Sequence, residues 1–317
     1  MKAVLLDEAR FLEGLELPMP ERVSQYVTFK RTPNDQKVII ERCRDADIII
    51  SGSLKIGRDI IESLPQLKLI QLTSSGMNAV DHKACKDNNV ELLNVPEFAA
   101  KSVPEHTFML MLSAMRSGVH YHNTVVDGSW RKDGSAKTKT LPTIDIEDQT
   151  LGIIGVGTIG KRVTEIARAF GMTVLWAEHQ GKTPRSEDYT DFDTVLAASD
   201  IISLHCPLTE DTRHLINGDT LAKMSKQPLI VNVARGAVVE SKAMAEAVQN
   251  EQVLGYATDV FEEEPIAKDD PLLKLAEQQH PHVVFSPHVA ANSKNSQHKL
   301  WEIVREQVNS FIDNYQH

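Results

Sequence analysis

"TLGIIGVGTIGKRVTEIARAFGMTVLWAEH" spans Thr150–His179, and its reading decides the fold. An apolar run, "LGIIGV", leads into Gly155, Gly157 and Gly160. An amphipathic stretch of helical period follows, and then a second apolar run that ends at Glu178. Strand, glycine turn, helix and strand form the context in which G-x-G-x-x-G holds a dinucleotide. Gly155 permits the tight turn, Gly157 lets a pyrophosphate approach the backbone, and Gly160 lets helix and strand pack closely. The helix N-terminus adds unpaired N–H groups and the positive end of its dipole. Glu178 stands where a carboxylate accepts ribose hydroxyls, and its charge opposes a 2′-phosphate, so the pattern predicts NAD in preference to NADP. His179 and Lys182 are the nearby counterweights. "GKT" at Gly181 lacks the earlier glycine of a P-loop, and the chain contains neither HExxH nor GxSxG.

Nearly half of the 317 residues precede this motif, which predicts a separate first domain. Short apolar runs alternate with amphipathic stretches there: "KAVLLD", "ADIIIS", "LKLIQLT" and "VELLNV" read as strands, "NDQKVIIERCR" and "VDHKACKDNN" as helices. From Gly152 a second series runs "LGIIGV", "MTVLWAE", "DIISLHC", "PLIVNVA", "GYATDV" and "HVVFSP", enough for a full doubly wound sheet. Between the series, "SVPEHTFMLMLSAMRSGVHYH" predicts one long bridging helix with Ser102 as N-cap, Pro104 in the first turn and Glu105 completing a capping box. The polar stretch "DGSWRKDGSAKTKTLPTIDIEDQT" reads as a loop or an oligomer arm. The tail predicts a helix with Leu300, Ile303, Val304, Val308, Phe311 and Ile312 on one face, packed back on the first domain.

A net charge of −10 and a pI near 5.7 leave no basic field for nucleic acid or an anionic membrane. An anionic substrate must then be held by a few local cations or backbone amides. Cys43, Cys85 and Cys206 are odd in number and scattered, which suits a reducing compartment better than a disulfide framework. The opening "MKAVLLDEARF" is too short an apolar run for a signal peptide, and no run approaches the roughly 20 apolar residues of a membrane helix. The expectation is cytoplasmic.

Reducing a ketone with a nicotinamide requires a proton donor, a group that polarises the carbonyl and a grip on the substrate. Candidates follow the strands of the second series: Arg235 after "IVNVA", Asp259 and Glu264 in "ATDVFEEEP", and His288 after "VVFSP". Strand carboxyl ends open onto the ligand crevice of a doubly wound sheet. A guanidinium forks onto a carboxylate, and a histidine held by an acid keeps one tautomer. Singly these residues read as a surface cation, a solvated acidic turn and an ordinary histidine. Together, after strands of one sheet, they read as a site. His280 and His282 lie at the opposite end of a strand from His288, which argues against a metal centre, and His106 reads as structural.

At these residues the chain resembles the D-isomer-specific 2-hydroxyacid dehydrogenase family, through "SVPEHTFMLML", "LGIIGVGTIG", "DIISLHCPLTEDTRHLI", "VNVARGAVVE", "ATDVFEEEP" and "SPHVAA". The resemblance implies a Rossmann NAD-binding domain inserted into a flavodoxin-like substrate domain: residues 1–100, then 101–287, then a C-terminal helix over 288–317. It implies His288 as general acid/base, Glu264 as its partner, Arg235 as the substrate-orienting cation and Asp259 as a contact of the nicotinamide carboxamide. Thr158 and Ile159 would lie over the pyrophosphate, Cys206 and Pro207 on the adenosine side, Val233 and Ala234 by the nicotinamide. In "TSSGMNAVD" the amides of Ser75 and Gly76 would take the substrate carboxylate, with the "SLKIG" turn at Ser53 adjacent and Lys55 a further cation.

Departures bear on the substrate. Ala291 stands where hydroxypyruvate and glyoxylate reductases often carry an aromatic residue, Met77 and Asn78 replace the commoner second glycine, and Glu240 replaces an aspartate. Glu264 argues against the formate-oxidising branch, and the chain ends at the helix where many phosphoglycerate dehydrogenases continue into a regulatory domain. The expected activity is NAD-dependent interconversion of a small 2-keto acid and its D-2-hydroxy acid, of the glyoxylate/hydroxypyruvate reductase type. The alternatives are a D-3-phosphoglycerate dehydrogenase type or an NAD(H)-sensing corepressor. A homodimer is expected, with "VHYHNTVVDGSW" as its interface.

Overall fold

The structure is a computed structural model that describes residues 1–52, 54–132, 141 and 143–315. Ser53 and residues 133–140 of the polar stretch therefore lie outside the described residues. The chain forms two compact units, Met1–Ala99 with Ala291–His317 and Ala100–Ala290.

The first unit carries β1 (Lys2–Leu5), β2 (Gln25–Thr28), β3 (Ile48–Ser51), β4 (Leu69–Leu72) and β5 (Glu91–Leu93) in a parallel sheet of order β2-β1-β3-β4-β5. That is the flavodoxin-like order. Alternation along the strands divides two cores. Val4, Ile49 and Ile70 pack with residues of the helices Gln36–Cys43, Arg58–Glu62 and His82–Asp87. Ala3, Leu5, Ile48, Ile50 and Leu69 pack with Leu300, Trp301, Val304, Val308, Phe311 and Ile312 of the Lys294–Tyr315 helix. The apolar stripe of the tail thus covers one face of this sheet. Strand β2 escapes a hydrophobic-run reading because "QYVT" is a short edge strand whose end residues, Gln25 and Thr28, are exposed.

The second unit holds β6 (Thr150–Ile154), β7 (Thr173–Ala177), β8 (Tyr189–Thr190), β9 (Ile201–Leu204), β10 (Leu229–Asn232), β11 (Gly255–Thr258) and β12 (Val284–Phe285). Their order is β12-β11-β10-β9-β6-β7-β8, all parallel. The chain leaves β6 toward β7 and β8, then returns to β9 on the other side of β6. That reversal opens a crevice at the carboxyl ends of β6 and β9. Strands β9, β10 and β11 are buried throughout, as strands covered on both faces must be. The six predicted runs are joined by β8, a two-residue edge paired to Trp176 and Ala177.

The predicted bridging helix is two helices, Ser102–Met115 and Gly118–Val126, separated by Ser117 at φ +51. A non-glycine residue in the left-handed region interrupts the helical path. The first helix is held by burial of Phe108, Leu110, Met111, Ala114 and Met115 against Leu151, Ile153, Val231 and Ala257. The second buries no residue. Ser102 is not the N-cap. It lies buried within the first turn, preceded by Lys101.

Candidate active site

The three glycines of the β6 turn each answer a different steric demand. Gly155 adopts φ +98, and a methyl group built on it would fall 2.4 Å from the Cys206 backbone nitrogen. The turn therefore packs directly on the chain leaving β9. A methyl on Gly160 would fall 2.4 Å from the Gly155 carbonyl oxygen, so any side chain there would push helix from strand. A methyl on Gly157 would meet nothing within 4 Å, which leaves the outer face of the loop clear for an approaching phosphate. Gly157 precedes the Thr158–Ala169 helix and no side chain caps it. Thr158 and Ile159 form the helix's opening turn beside those N–H groups. The residues present fit a dinucleotide.

Cys206 is buried, and Pro207 follows it at the surface, its carbonyl accepting a hydrogen bond from Thr212 Oγ1 at 2.6 Å. On the next strand, buried Asn232 shapes the turn that carries Val233, Ala234 and Arg235. Its Oδ1 accepts from the Ala234 N–H at 3.0 Å and its Nδ2 donates to the Arg235 carbonyl at 3.0 Å. Sequence reasoning passes over Asn232 because a polar residue ending a strand looks like a strand terminus.

Glu178 ends up differently from expectation. It is only 3% exposed, and both carboxylate oxygens are engaged. Oε1 accepts from the His179 N–H at 2.8 Å and from Arg185 Nη2; Oε2 accepts from Arg185 N and Arg185 Nε, both at 2.8 Å. The Arg185 hydrogen bonds and the His179 N–H hold this carboxyl far below the ordinary range, against the opposing effect of burial. Arg185 in turn lies over the Tyr189 ring, 4.6 Å from its centroid.

The acid–histidine pair is present. His288 Nδ1 donates to Glu264 Oε2 at 2.5 Å, while Glu264 Oε1 accepts from the Phe261 N–H at 3.1 Å. Holding Nδ1 in this way fixes the ring's tautomer and leaves Nε2 as the exchanging nitrogen. Burial works to raise the Glu264 carboxyl, but the hydrogen bond from His288 and the charge of that ring hold it below its ordinary value. Arg235 is half-buried: burial lowers its guanidinium from its ordinary value, and the Glu264 charge acts to raise it. It remains a cation. Arg235, Glu264 and His288 thus share one field within the second unit.

Asp259 is buried, with both carboxylate oxygens engaged. It is 1% exposed. Its Oδ1 accepts from Ser286 Oγ at 2.6 Å and the Val289 N–H at 2.9 Å, its Oδ2 from the Ala290 N–H at 2.8 Å, and its own carbonyl from the His288 N–H at 2.8 Å. His106 Nε2 pairs with Ser286 Oγ at 2.8 Å and lies 3.4 Å from Asp259 Oδ1. This carboxylate therefore holds His288, at φ +55, in its turn. Burial works to raise its carboxyl, and the bonds from His106, Ser286, Val289 and Ala290 more than offset it, so the folded value is depressed. A depressed acid stabilises above its unfolded pKa, about 3.9, and that contribution is lost as pH falls through the folded value. Asp259→Asn should therefore cost about 1.5–3 kcal/mol at pH 7, the range for hydrogen bonds to a charged group. Thermal melts should show the gap to wild type closing below about pH 4.

Ser75, Gly76 and Lys55 belong to the first unit. The loop after β4 is braced from within: Ser74 Oγ donates to the Gly76 carbonyl at 2.9 Å, Ser75 Oγ to the Val95 carbonyl at 3.0 Å, and Asn94 Nδ2 to the Ser75 carbonyl at 2.7 Å. No group among the described residues accepts from the Ser75 or Gly76 N–H. Lys55 is exposed, and its N–H donates to Asn34 Oδ1 at 3.0 Å. His282, by contrast, pairs through Nδ1 with the Ala114 carbonyl at 2.8 Å.

Residues 108–290 match the family model described as D-isomer specific 2-hydroxyacid dehydrogenase, NAD binding domain. The glycerate dehydrogenase of Methylorubrum extorquens is 33% identical over 98% of this chain and 96% of its own length. A D-3-phosphoglycerate dehydrogenase of Methanocaldococcus jannaschii is 34% identical over 86% of this chain but 51% of its own. Among solved structures, a glyoxylate reductase from Paecilomyes thermophila superposes with a TM-score of 0.80 at 26% identity, covering 98% of this chain and 95% of that one.

Proposed function

The chain belongs to the D-isomer specific 2-hydroxyacid dehydrogenases, and from that membership we propose that it reduces hydroxypyruvate and glyoxylate to their 2-hydroxy acids, with His288 carrying the proton. It is an NAD-dependent oxidoreductase of small keto acids. The observation that carries the reading is the 2.5 Å bond from His288 Nδ1 to Glu264, made in the unit that also holds the glycine turn. The bound nicotinamide supplies the hydride that the keto carbon receives. His288 Nε2 gives its proton to the keto oxygen as that hydride arrives, and Glu264 stabilises the ring's charge beforehand. Arg235 forks onto the substrate carboxylate, and Asp259 keeps the histidine turn in register.

"TSSGMNAVD" contains no lysine or arginine, which supports an uncharged substrate tail over a phosphorylated one. Initial rates of NADH oxidation with glyoxylate, hydroxypyruvate, pyruvate and 3-phosphohydroxypyruvate test this. The first two should give the highest kcat/KM. Preference for the phosphorylated acid, or oxidation with none of them, would overturn the reading.

The Gly118–Val126 helix leaves Val119, Val125 and Val126 exposed, the last at 71%, with Trp130 exposed just beyond. Several large apolar side chains exposed on one short segment favour a second copy of the chain as its partner. Val126→Glu should convert a dimer into a monomer in sedimentation velocity; a wild-type monomer would remove the proposal. No helix among the described residues is long and apolar enough to cross a membrane, and Cys43, Cys85 and Cys206 are buried and unbridged, which supports residence in a reducing cytoplasm.

A further inference from the structure

We propose that Arg185, by neutralising Glu178 and presenting its own free N–H groups, lets the adenosine end of the dinucleotide site accept a 2′-phosphate, so that the protein takes NADPH as well as NADH. In a doubly wound sheet the ribose of the adenosine lies at the carboxyl end of the strand after the glycine turn, and an acid there accepts its hydroxyls. Here that strand is β7, and Glu178 follows it directly. A carboxylate offers about four acceptor positions. Glu178 has spent all of them, on the His179 N–H, on Arg185 N, and on Arg185 Nε and Nη2. Nothing remains with which to select a free 2′-hydroxyl. The charge that would repel a phosphate is matched by a guanidinium in fork geometry.

What faces outward at this position is the guanidinium. The Arg185 side chain is 49% exposed, and Glu178 takes two of its five N–H donors. Stacking on Tyr189 and pairing with Glu178 fix the plane of the fork before any ligand arrives, which lowers the ordering cost of a bidentate phosphate contact. Exposed Lys182 and His179 lie in the same turn. The opposing charges are Glu187 and Asp188, both exposed and two to three residues from Arg185, and neither forms an ion pair with it among the described residues.

Calorimetric titration with adenosine fragments tests this without turnover. 2′,5′-ADP and 5′-ADP carry two phosphates each and differ in where the second one sits. Wild-type protein should bind 2′,5′-ADP at least about tenfold more tightly than 5′-ADP, and NADPH within about tenfold of NADH. Arg185→Ala should weaken 2′,5′-ADP about 10- to 100-fold and leave 5′-ADP unchanged. That variant strands a buried carboxylate and can fail to fold, so Glu178→Gln is the second arm. It keeps the shape, removes the negative charge, and should tighten 2′,5′-ADP severalfold with 5′-ADP unmoved. Equal binding of the two fragments by wild-type protein, or variants that leave their ratio unchanged, would overturn the proposal. Because no keto acid is present, failure of the proposed reaction would show only in the rate screen.

Discussion

Replacing His288 with asparagine should lower kcat by about 10²- to 10⁴-fold, the range that a positioned general acid contributes. Asparagine suits the position because residue 288 sits at φ +55, a region that asparagine tolerates better than other non-glycine residues. The backbone bonds from Asp259 to residues 288–290 involve no side-chain atom of His288, so the turn and the melting temperature should stay near wild type. The affinity for dinucleotide, measured by fluorescence titration, should change little, because the glycine turn and the β7 end are untouched. A loss of rate with binding and fold intact is the signature of a missing proton. Glu264→Gln should fall between the two: the ring keeps a hydrogen-bond acceptor and loses the charge that stabilises its protonated form. Wild-type turnover in the His288 variant would remove the proton route altogether.

Much of this site is legible in the sequence because its demands are local. Gly155, Gly157 and Gly160 are spaced by the geometry of one turn and one helix start, so their pattern survives in the letters. Arg235, Glu264 and His288 can be placed because each follows an apolar run, and in a parallel sheet such ends converge. Harder to foresee are side chains whose partners are set by fine geometry. Glu178 looks like a free ribose acceptor until Arg185, seven residues on, folds back across it and consumes the carboxylate. The bonds that the residues after His288 make to the Asp259 carboxylate depend on how the chain turns beyond its strand, which no spacing in the letters records. The break at Ser117 is hidden for a different reason: apolar periodicity runs through it, and only the left-handed backbone there separates a buried helix from an exposed one. Edge strands such as β2 and β8 carry too little apolar sequence to register.

Gly236→Ala should damage both fold and catalysis, and Gly157→Ala only dinucleotide binding, although the two substitutions add the same methyl group. On Gly236 that methyl would fall 1.9 Å from the carbonyl carbon and oxygen of Phe261 and 2.4 Å from the Glu262 nitrogen. These are backbone atoms, so no rotamer relieves the collision and one of two chain segments must move. Both segments matter. Gly236 follows Arg235 directly, and Phe261 donates the N–H that holds Glu264 Oε1. Glu262 is also tied down, its Oε1 accepting the Ser241 N–H at 2.7 Å and its Oε2 meeting His214 Nε2 at 3.0 Å. A shift of about 1 Å here would separate the guanidinium from the acid–histidine pair, and displacements of that size cost about 10²-fold in rate. Overpacking adds about 1–3 kcal/mol of destabilisation, visible as a lower melting temperature. At Gly157 nothing lies within 4 Å, so the melting temperature should hold while the dissociation constant for NADH rises. If Gly236→Ala melted and turned over like wild type, the close contact between the Arg235 turn and the Glu264 segment would not exist in solution, and neither would the constellation built on it.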